Sequence, residues 1–417
     1  MVNLEVVTQH AEDAAFLWFS RDRAVRAPHY RLKDLARLDE RVEANVDGLR
    51  VAKETGWKLA AEATKQEAPG ELFAAGALAF ESRNQERIDS VITLATKAPS
   101  LSRAVVSALG WISFDDAKPA LDALLDSPGP ESRRIAIAGY AVHRKNPPVE
   151  KLAEEVSDAN PSLQARACKA AAELGRVDLA YSVVRAIHSR DDVVRFYSAF
   201  AAARLGLRDR DVMDGLRAIA NAGGPYSQAS LLPLRCQRLD ESHTWVSEIL
   251  KGPRRKRLGV IGIGVLGDPA RVSELIAYMQ IEQLSRVAGE SFSMITGADL
   301  KYLDLDRPKP EDFEAGPTED PNDANIAMDE DEDLPWPVPD RVHNWWDKHH
   351  HEFQPGIRYL AGKPIEPAAL VDILKNAYQR QRAAAALELA LLRPSEPMFE
   401  VRASGHRQIE ALGQWNL

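Results

Sequence analysis

Cysteine is nearly absent, with only Cys168 and Cys236 among 417 residues. Each sits in a helical apolar pattern, which is the setting of a small buried hydrophobe and excludes a disulfide framework. No Cys-pair zinc spacing occurs, no glycine-rich phosphate loop follows a strand, and no nucleophile elbow is present. The start, Met1 to Glu5, lacks a basic region leading into an apolar run. No later stretch reaches the roughly 18 consecutive apolar residues of a membrane span. These absences give the expectation of a protein that is neither exported nor inserted in a membrane and works in the reducing cytoplasm. Positive charge is also short: the net charge of -9 removes any broad attraction to nucleic acid and leaves only a local basic stripe as an option.

What is abundant is alanine and leucine, which favour packed helices over sheets. The strongest positive signal is internal repetition. Segments ending at Gly110, Gly175, Gly206 and Gly267 each read as a helix closed by Leu-Gly, and Gly297 follows more loosely. Their separations are one or two multiples of about 31 residues, the length of a paired-helix unit. Glycine suits this position because the residue after a helix commonly turns left-handed to close the last carbonyls. A second amphipathic segment follows each turn, for example Ala117 to Leu125, Asp178 to Ile187 and Ala270 to Met279. Proline or small polar residues then restart the pattern, as at Pro99, Pro130 and Pro161. About seven such units run from roughly residue 69 to 299.

The expected class is all-α, an α-α superhelix, with four regions. Residues 1–66 form an N-terminal helical cap with an amphipathic stretch from Leu32 to Trp57, and 67–299 form the repeat array. Residues 300–338, rich in Pro, Asp and Glu and culminating in Asp329 to Asp333, read as an acidic flexible insertion. Residues 339–417 read as a C-terminal helical region in which the array resumes.

The units resemble the short HEAT-like repeats of phycobilisome lyases, in which a first helix carries an Arg in its second turn and ends in Leu-Gly. Arg103, Arg134, Arg166, Arg195, Arg257 and Arg286 fall at or near that place. The flanks resemble a bacterial family of HEAT-like proteins whose genes accompany type VI secretion loci. The likeness rests on His10 to Trp18, Leu38 to Arg50, Trp345-Trp346, Phe353 to Gly362 and Gln381 to Ala390. It implies a partner among secretion effectors, spike-tip proteins or their loading chaperones.

Candidate chemistry is sparse. His349 to Glu352 offers ligand types, but neighbouring residues on one helix point about 100° apart, so three adjacent imidazoles cannot converge on one ion. The paired His-Glu dipeptides of the di-iron HEAT-repeat hydroxylases have no counterpart here, and neither a cofactor nor a metal site nor a catalytic set is expected. The function expected is therefore a non-enzymatic scaffold that holds a protein on a concave face lined by the second helices. Six residues are candidate contacts: Arg254, Arg255 and Arg257 in the basic stretch after Pro253, and Trp336, Trp345 and Trp346 beside the acidic segment. The competing reading is a nucleic-acid binder resembling the HEAT-like DNA glycosylases, with the arginines as a phosphate track. Against it, arginines at one repeat position usually form a structural ladder to carboxylates or helix ends of the next repeat.

Overall fold

The computed structural model describes residues 2–316 and 328–414. Among them the fold is all-α, and its strands are confined to two short antiparallel pairs, Asp306–Arg307 with Trp336–Pro337 and Tyr359–Leu360 with Lys363–Pro364. No helix of the described residues is long and apolar enough to cross a membrane. The chain divides into two compact units, residues 1–215 with 374–417, and residues 216–373.

In the first unit, Leu4–Ala24, Leu32–Val51 and Glu54–Ala63 form the N-terminal bundle. The amphipathic stretch expected from Leu32 to Trp57 is split at Lys53, whose φ of 52° breaks the helix. First helices of successive repeats then stack side by side: Pro69–Ser82 on Pro99–Trp111, that on Pro130–Val142, then Pro161–Leu174 and Asp192–Arg204. Four of these five begin with proline at the first helical position, where a missing N–H costs nothing. The fifth is capped by Asp191, whose carboxylate accepts from the amides of Val193 and Val194. The stack is held by buried apolar faces. Phe73 is fully buried between Trp18 at 5.2 Å and Trp111 at 5.4 Å, burial that contributes on the order of 2–3 kcal/mol for such a side chain. Trp18 also donates to the hydroxyl of Ser107 at 2.8 Å and so ties the N-terminal bundle to the repeats. Cys168 is buried in this core, and burial pushes its thiol up to about 12.

The Leu-Gly turns form as the repeat requires at four of five places: Gly175, Gly206, Gly267 and Gly297 have φ of 69°, 101°, 76° and 71°. Gly110 differs, since it lies inside the helix Pro99–Trp111, which ends instead at an extended Ile112. Its smallness answers packing, because a Cβ there would stand 2.9 Å from Val142.

A feature with no periodic signature crosses these turns. In the first unit the non-helical chain between the helices Gln379–Leu392 and Gly405–Gln414, with the ends of both, runs over them. Arg208 donates to the carbonyl of Leu391 at 2.9 Å, Arg204 to those of Pro394 and Glu396 at 2.5 Å each, and the amide of Met398 to Glu173 at 2.9 Å. Arg144 pairs with Glu400 at 3.0 Å, Arg21 donates to Ala403 at 2.8 Å, and Arg407 reaches the carbonyl of Gly110. Asp39, buried, accepts from both Arg21 at 2.8 Å and the Gly405 amide at 2.6 Å, which completes the attachment to the N-terminal bundle. Arg382, fully buried, donates to Leu374 at 2.6 Å and to Gln379 and Gln408, and burial pushes its guanidinium down to about 10.

The second unit repeats the device. Its helices Leu239–Lys251, Lys256–Leu266, Val272–Tyr278, Glu282–Thr296 and Pro339–His349 enclose their own core around Val260, Ile263, Phe292 and Ile295. Arg358 donates to the carbonyls of Leu266 at 2.8 Å and Arg235 at 3.1 Å. The amides of Tyr359, Ala361 and Gly362 donate to Gly267, Met294 and Ile295 at 2.8, 2.6 and 2.9 Å. In both units, carbonyls that a helix end leaves without intrahelical partners are satisfied by a strap from later in the chain.

Candidate functional site

Arg257 stands in the first turn of Lys256–Leu266 and Arg286 in the second turn of Glu282–Thr296, and these helices pack on each other. Repetition therefore places two guanidinium forks side by side, one per helix, at the roughly 8–10 Å spacing of packed helices. Each fork is filled. Arg257 holds both oxygens of Asp331 at 2.6 Å, and Arg286 holds both oxygens of Asp329 at 2.7 and 3.0 Å. The Asp-x-Asp segment reaches both forks from a turn. The segment is shaped for this: the Asp331 amide donates to the Asp329 carboxylate at 3.0 Å, and the Leu334 amide to the Asp331 carbonyl at 2.8 Å.

Aromatic rings seal one fork. Arg286 is only 7% exposed at its side chain and lies 4.7 Å from the Trp336 ring centre and 5.0 Å from that of Phe313. Phe313 and Trp336 meet edge to face at 4.6 Å. A cation between rings with water excluded is worth more than the same contact at an open surface. Hydrogen bonds donated to the Asp331 carboxylate push Arg257 up, against the effect of burial. Burial opposes the charge on Asp329, but the bonds from Arg286 outweigh it and the carboxyl lies below its usual range.

Cavities of about 590 and 620 Å³ flank the acidic segment. The first is lined by Arg257, Glu282, Arg286, Phe313, Asp329 and Asp331. The second is lined in part by Lys301, Arg307 and Lys309, which are exposed and make no ion pair among the described residues.

The six residues singled out in the sequence separate into different settings. Arg254 is exposed, and Arg255 donates to Asn221 at 2.6 Å, both in the turn Pro253–Arg255. Arg257 alone of that basic stretch reaches the acidic segment. Trp336 is buried beside Arg286, whereas Trp345 and Trp346 pack on Phe292 at 5.6 and 6.5 Å, Trp346 within the core and Trp345 half-buried against it. The site thus draws on first helices, not the second helices expected to line a binding face. Of the insertion expected over 300–338, residues 317–327 lie outside the described residues. The described flanks are fixed by the strand pair, by Arg257 and Arg286, and by the Val338 amide on Leu305 at 2.8 Å. Arg286, Phe313, Asp329 and Asp331 were not singled out from the sequence as contacts. The signal that could have found them is the coincidence of two arginines at one repeat position with an acidic run of alternating Asp.

The ladder arginines of the first unit are also partnered, in two ways. Arg103 bonds Asp22 and Arg134 bonds Ser102 at 2.6 Å, so these two reach other helices. Arg166 bonds Glu173 on its own helix at 2.7 Å, and Arg195 bonds Asp192 and the Ser189 carbonyl. The inter-repeat ladder expected from the sequence is therefore local at these last two positions.

The histidine run is turned apart, with His349 on the Trp345 carbonyl at 2.7 Å and His350 on that of Asp347 at 3.0 Å. Among the described residues no group of three or more His, Cys, Asp or Glu side chains could hold a metal ion. His243 bonds Asp268 at 2.8 Å, but Asp268 also caps the amide of Ala270, and the serine one turn away, Ser247, accepts from Arg271 at 3.1 Å. That arrangement fastens a helix start.

No family model matches the chain, and no curated protein is significantly similar to it.

Proposed function

We propose that this chain is a non-catalytic scaffold or adaptor that binds protein. The observation that carries the reading is the pair of arginine forks at equivalent repeat positions, filled by an Asp-x-Asp segment, with the Arg286 fork sealed by Trp336 and Phe313. Such a surface is specific for acidic peptide: two planar donors fix carboxylate geometry, and the rings supply an apolar contact. It also weighs against a nucleic-acid track, because the repeat arginines that would contact phosphates are neutralised by carboxylates. The finer part of the proposal, a cytoplasmic role beside type VI secretion with an effector, a spike-tip protein or a loading chaperone as partner, is supported by the resemblance of the flanks.

Affinity capture of the full chain from its native host tests the function. Reproducible enrichment of defined proteins, secretion components among them, is the expected result. Recovery of none under conditions that retain other complexes would overturn the adaptor reading. Steeply salt-dependent retention of nucleic acid, lost on charge reversal at Arg254 and Arg255, would replace it.

A further inference from the structure

Asp329 and Asp331 behave, in their contacts, as a bound ligand rather than as part of a helix or sheet. They lie 43 and 74 residues from the arginines that hold them. Their own stretch contributes a tight turn and a third carboxylate, Glu330, which lies 3.5 Å from Arg257. On either side lie open cavities rather than packed core, one of them lined by Lys301, Arg307 and Lys309 together with Asp306, Asp329 and Glu332. Immediately beyond the segment, Leu334 and Trp336 are buried, so the chain stays anchored even when the two carboxylates leave.

We propose that Arg257 and Arg286, the second roofed by Phe313 and Trp336, are a docking site for an acidic Asp-x-Asp peptide of a partner protein, and that Asp329 and Asp331 fill it as an internal stand-in. The stand-in holds the site closed at an effective concentration of about millimolar, as a short tether does, so a partner must offer more than the same two carboxylates. That surplus comes from contacts the partner makes beyond the forks, in the open cavities on either side of the segment. A peptide, rather than nucleic acid, is favoured because the stand-in couples its carboxylates to apolar anchors at Leu334 and Trp336. The inference rests on the adaptor reading and specifies the surface used.

The test uses the full chain and a fluorescently labelled peptide with the sequence of residues 328–334, read by anisotropy. In D329N/D331N the forks are vacated, and the peptide should bind at least tenfold more tightly than to the unaltered chain. Adding R257Q and R286Q should abolish that gain. A folded D329N/D331N chain that binds no better than the unaltered one would overturn the proposal, as would tighter binding of a single-stranded oligonucleotide than of the peptide. Should the double variant not fold, the unaltered chain decides the question. Millimolar peptide should speed hydrogen exchange at the amides of Asp331 and Leu334, and no change there would overturn it. Captured host proteins retained by R257Q/R286Q would sink this site while leaving the adaptor reading standing.

Discussion

Tyr359 and Gly267 meet backbone to backbone: the Tyr359 amide donates to the Gly267 carbonyl at 2.8 Å, and a Cβ on Gly267 would stand 2.6 Å from the Tyr359 carbonyl oxygen. Gly267 is thus glycine for two reasons, its φ of 76° and the strap lying on it. Gly267→Ala should destabilise by roughly 2 kcal/mol or more, since the left-handed conformation alone costs a residue with Cβ about 1–2 kcal/mol. Gly215 is the control. It lies inside the helix Arg210–Ala222 with nothing within 4 Å of a built Cβ, and Gly215→Ala should stabilise by up to about 1 kcal/mol. Urea unfolding measures both, and faster hydrogen exchange at Tyr359 and Ala361 in the first variant alone would locate the effect.

His143 provides a pH signature for the strap of the first unit. Its Nε2 donates to the Leu109 carbonyl at 2.8 Å and its Nδ1 accepts from Arg407 at 3.1 Å, an arrangement that requires the neutral ring. Burial first, and the Arg407 charge second, push its pKa down to about 4. The unfolded chain takes up this proton below about pH 6.5 and the folded chain does not until about 4, so stability falls as pH falls through that window, by at most roughly 3 kcal/mol. Denaturant midpoints between pH 7 and 4 should show the slope. His143→Gln should flatten it.

Glu173 acts in a lower window. Burial opposes its charge, but Arg166, Lys169 and Arg144 outweigh it and hold the carboxyl at about 2. A depressed carboxyl contributes stability above its unfolded value of about 4.5, and that contribution is lost as pH falls from there toward 2. Glu173→Gln should remove this acid limb and cost roughly 3 kcal/mol at pH 7, because Arg166 loses its carboxylate while nearly buried. Thermal melts at pH 7, 4 and 2.5 distinguish this loss from that of His143.

The fork at Arg257 should be energetically unlike an ordinary surface pair. Its two parallel bonds to Asp331, whose side chain is 8% exposed, predict a coupling above about 1 kcal/mol in a double-mutant cycle of Arg257→Ala and Asp331→Ala. Lys65 and Glu62, 73% and 65% exposed, should couple by less than about 0.5 kcal/mol. Equal coupling in the two cycles would mean that the fork contributes no more than any solvated contact.

The repeat was legible because its signals are local. A proline at the first helical position and a glycine at the left-handed turn each act within a few residues, and Pro161 with Gly175 bracket one helix without reference to anything else. Gly110 misled because small size at a helix crossing and conformational freedom at a helix end select the same residue. The contacts of the acidic run were hidden for a different reason. A sequence of Asp and Glu reads as solvated unless its cations are in view, and those of Asp329 and Asp331 are far upstream on helices where Arg has a structural reason to recur. The straps gave no warning, since extended chain satisfied by helix-end carbonyls needs no apolar periodicity: Met398 bonds Glu173 through backbone alone.

The strap of the first unit also dictates an order of assembly. Arg21 meets Ala403 across 382 positions of chain and Asp39 meets Gly405 across 366, whereas the second unit is one uninterrupted stretch. Closing loops of that span is slow, and a ribosome delivers the closing residues only after the whole second unit. The second unit therefore has all its residues before the first does. The N-terminal repeats precede the second unit on the ribosome yet acquire their strap only after it, so a later stretch of chain closes an earlier one.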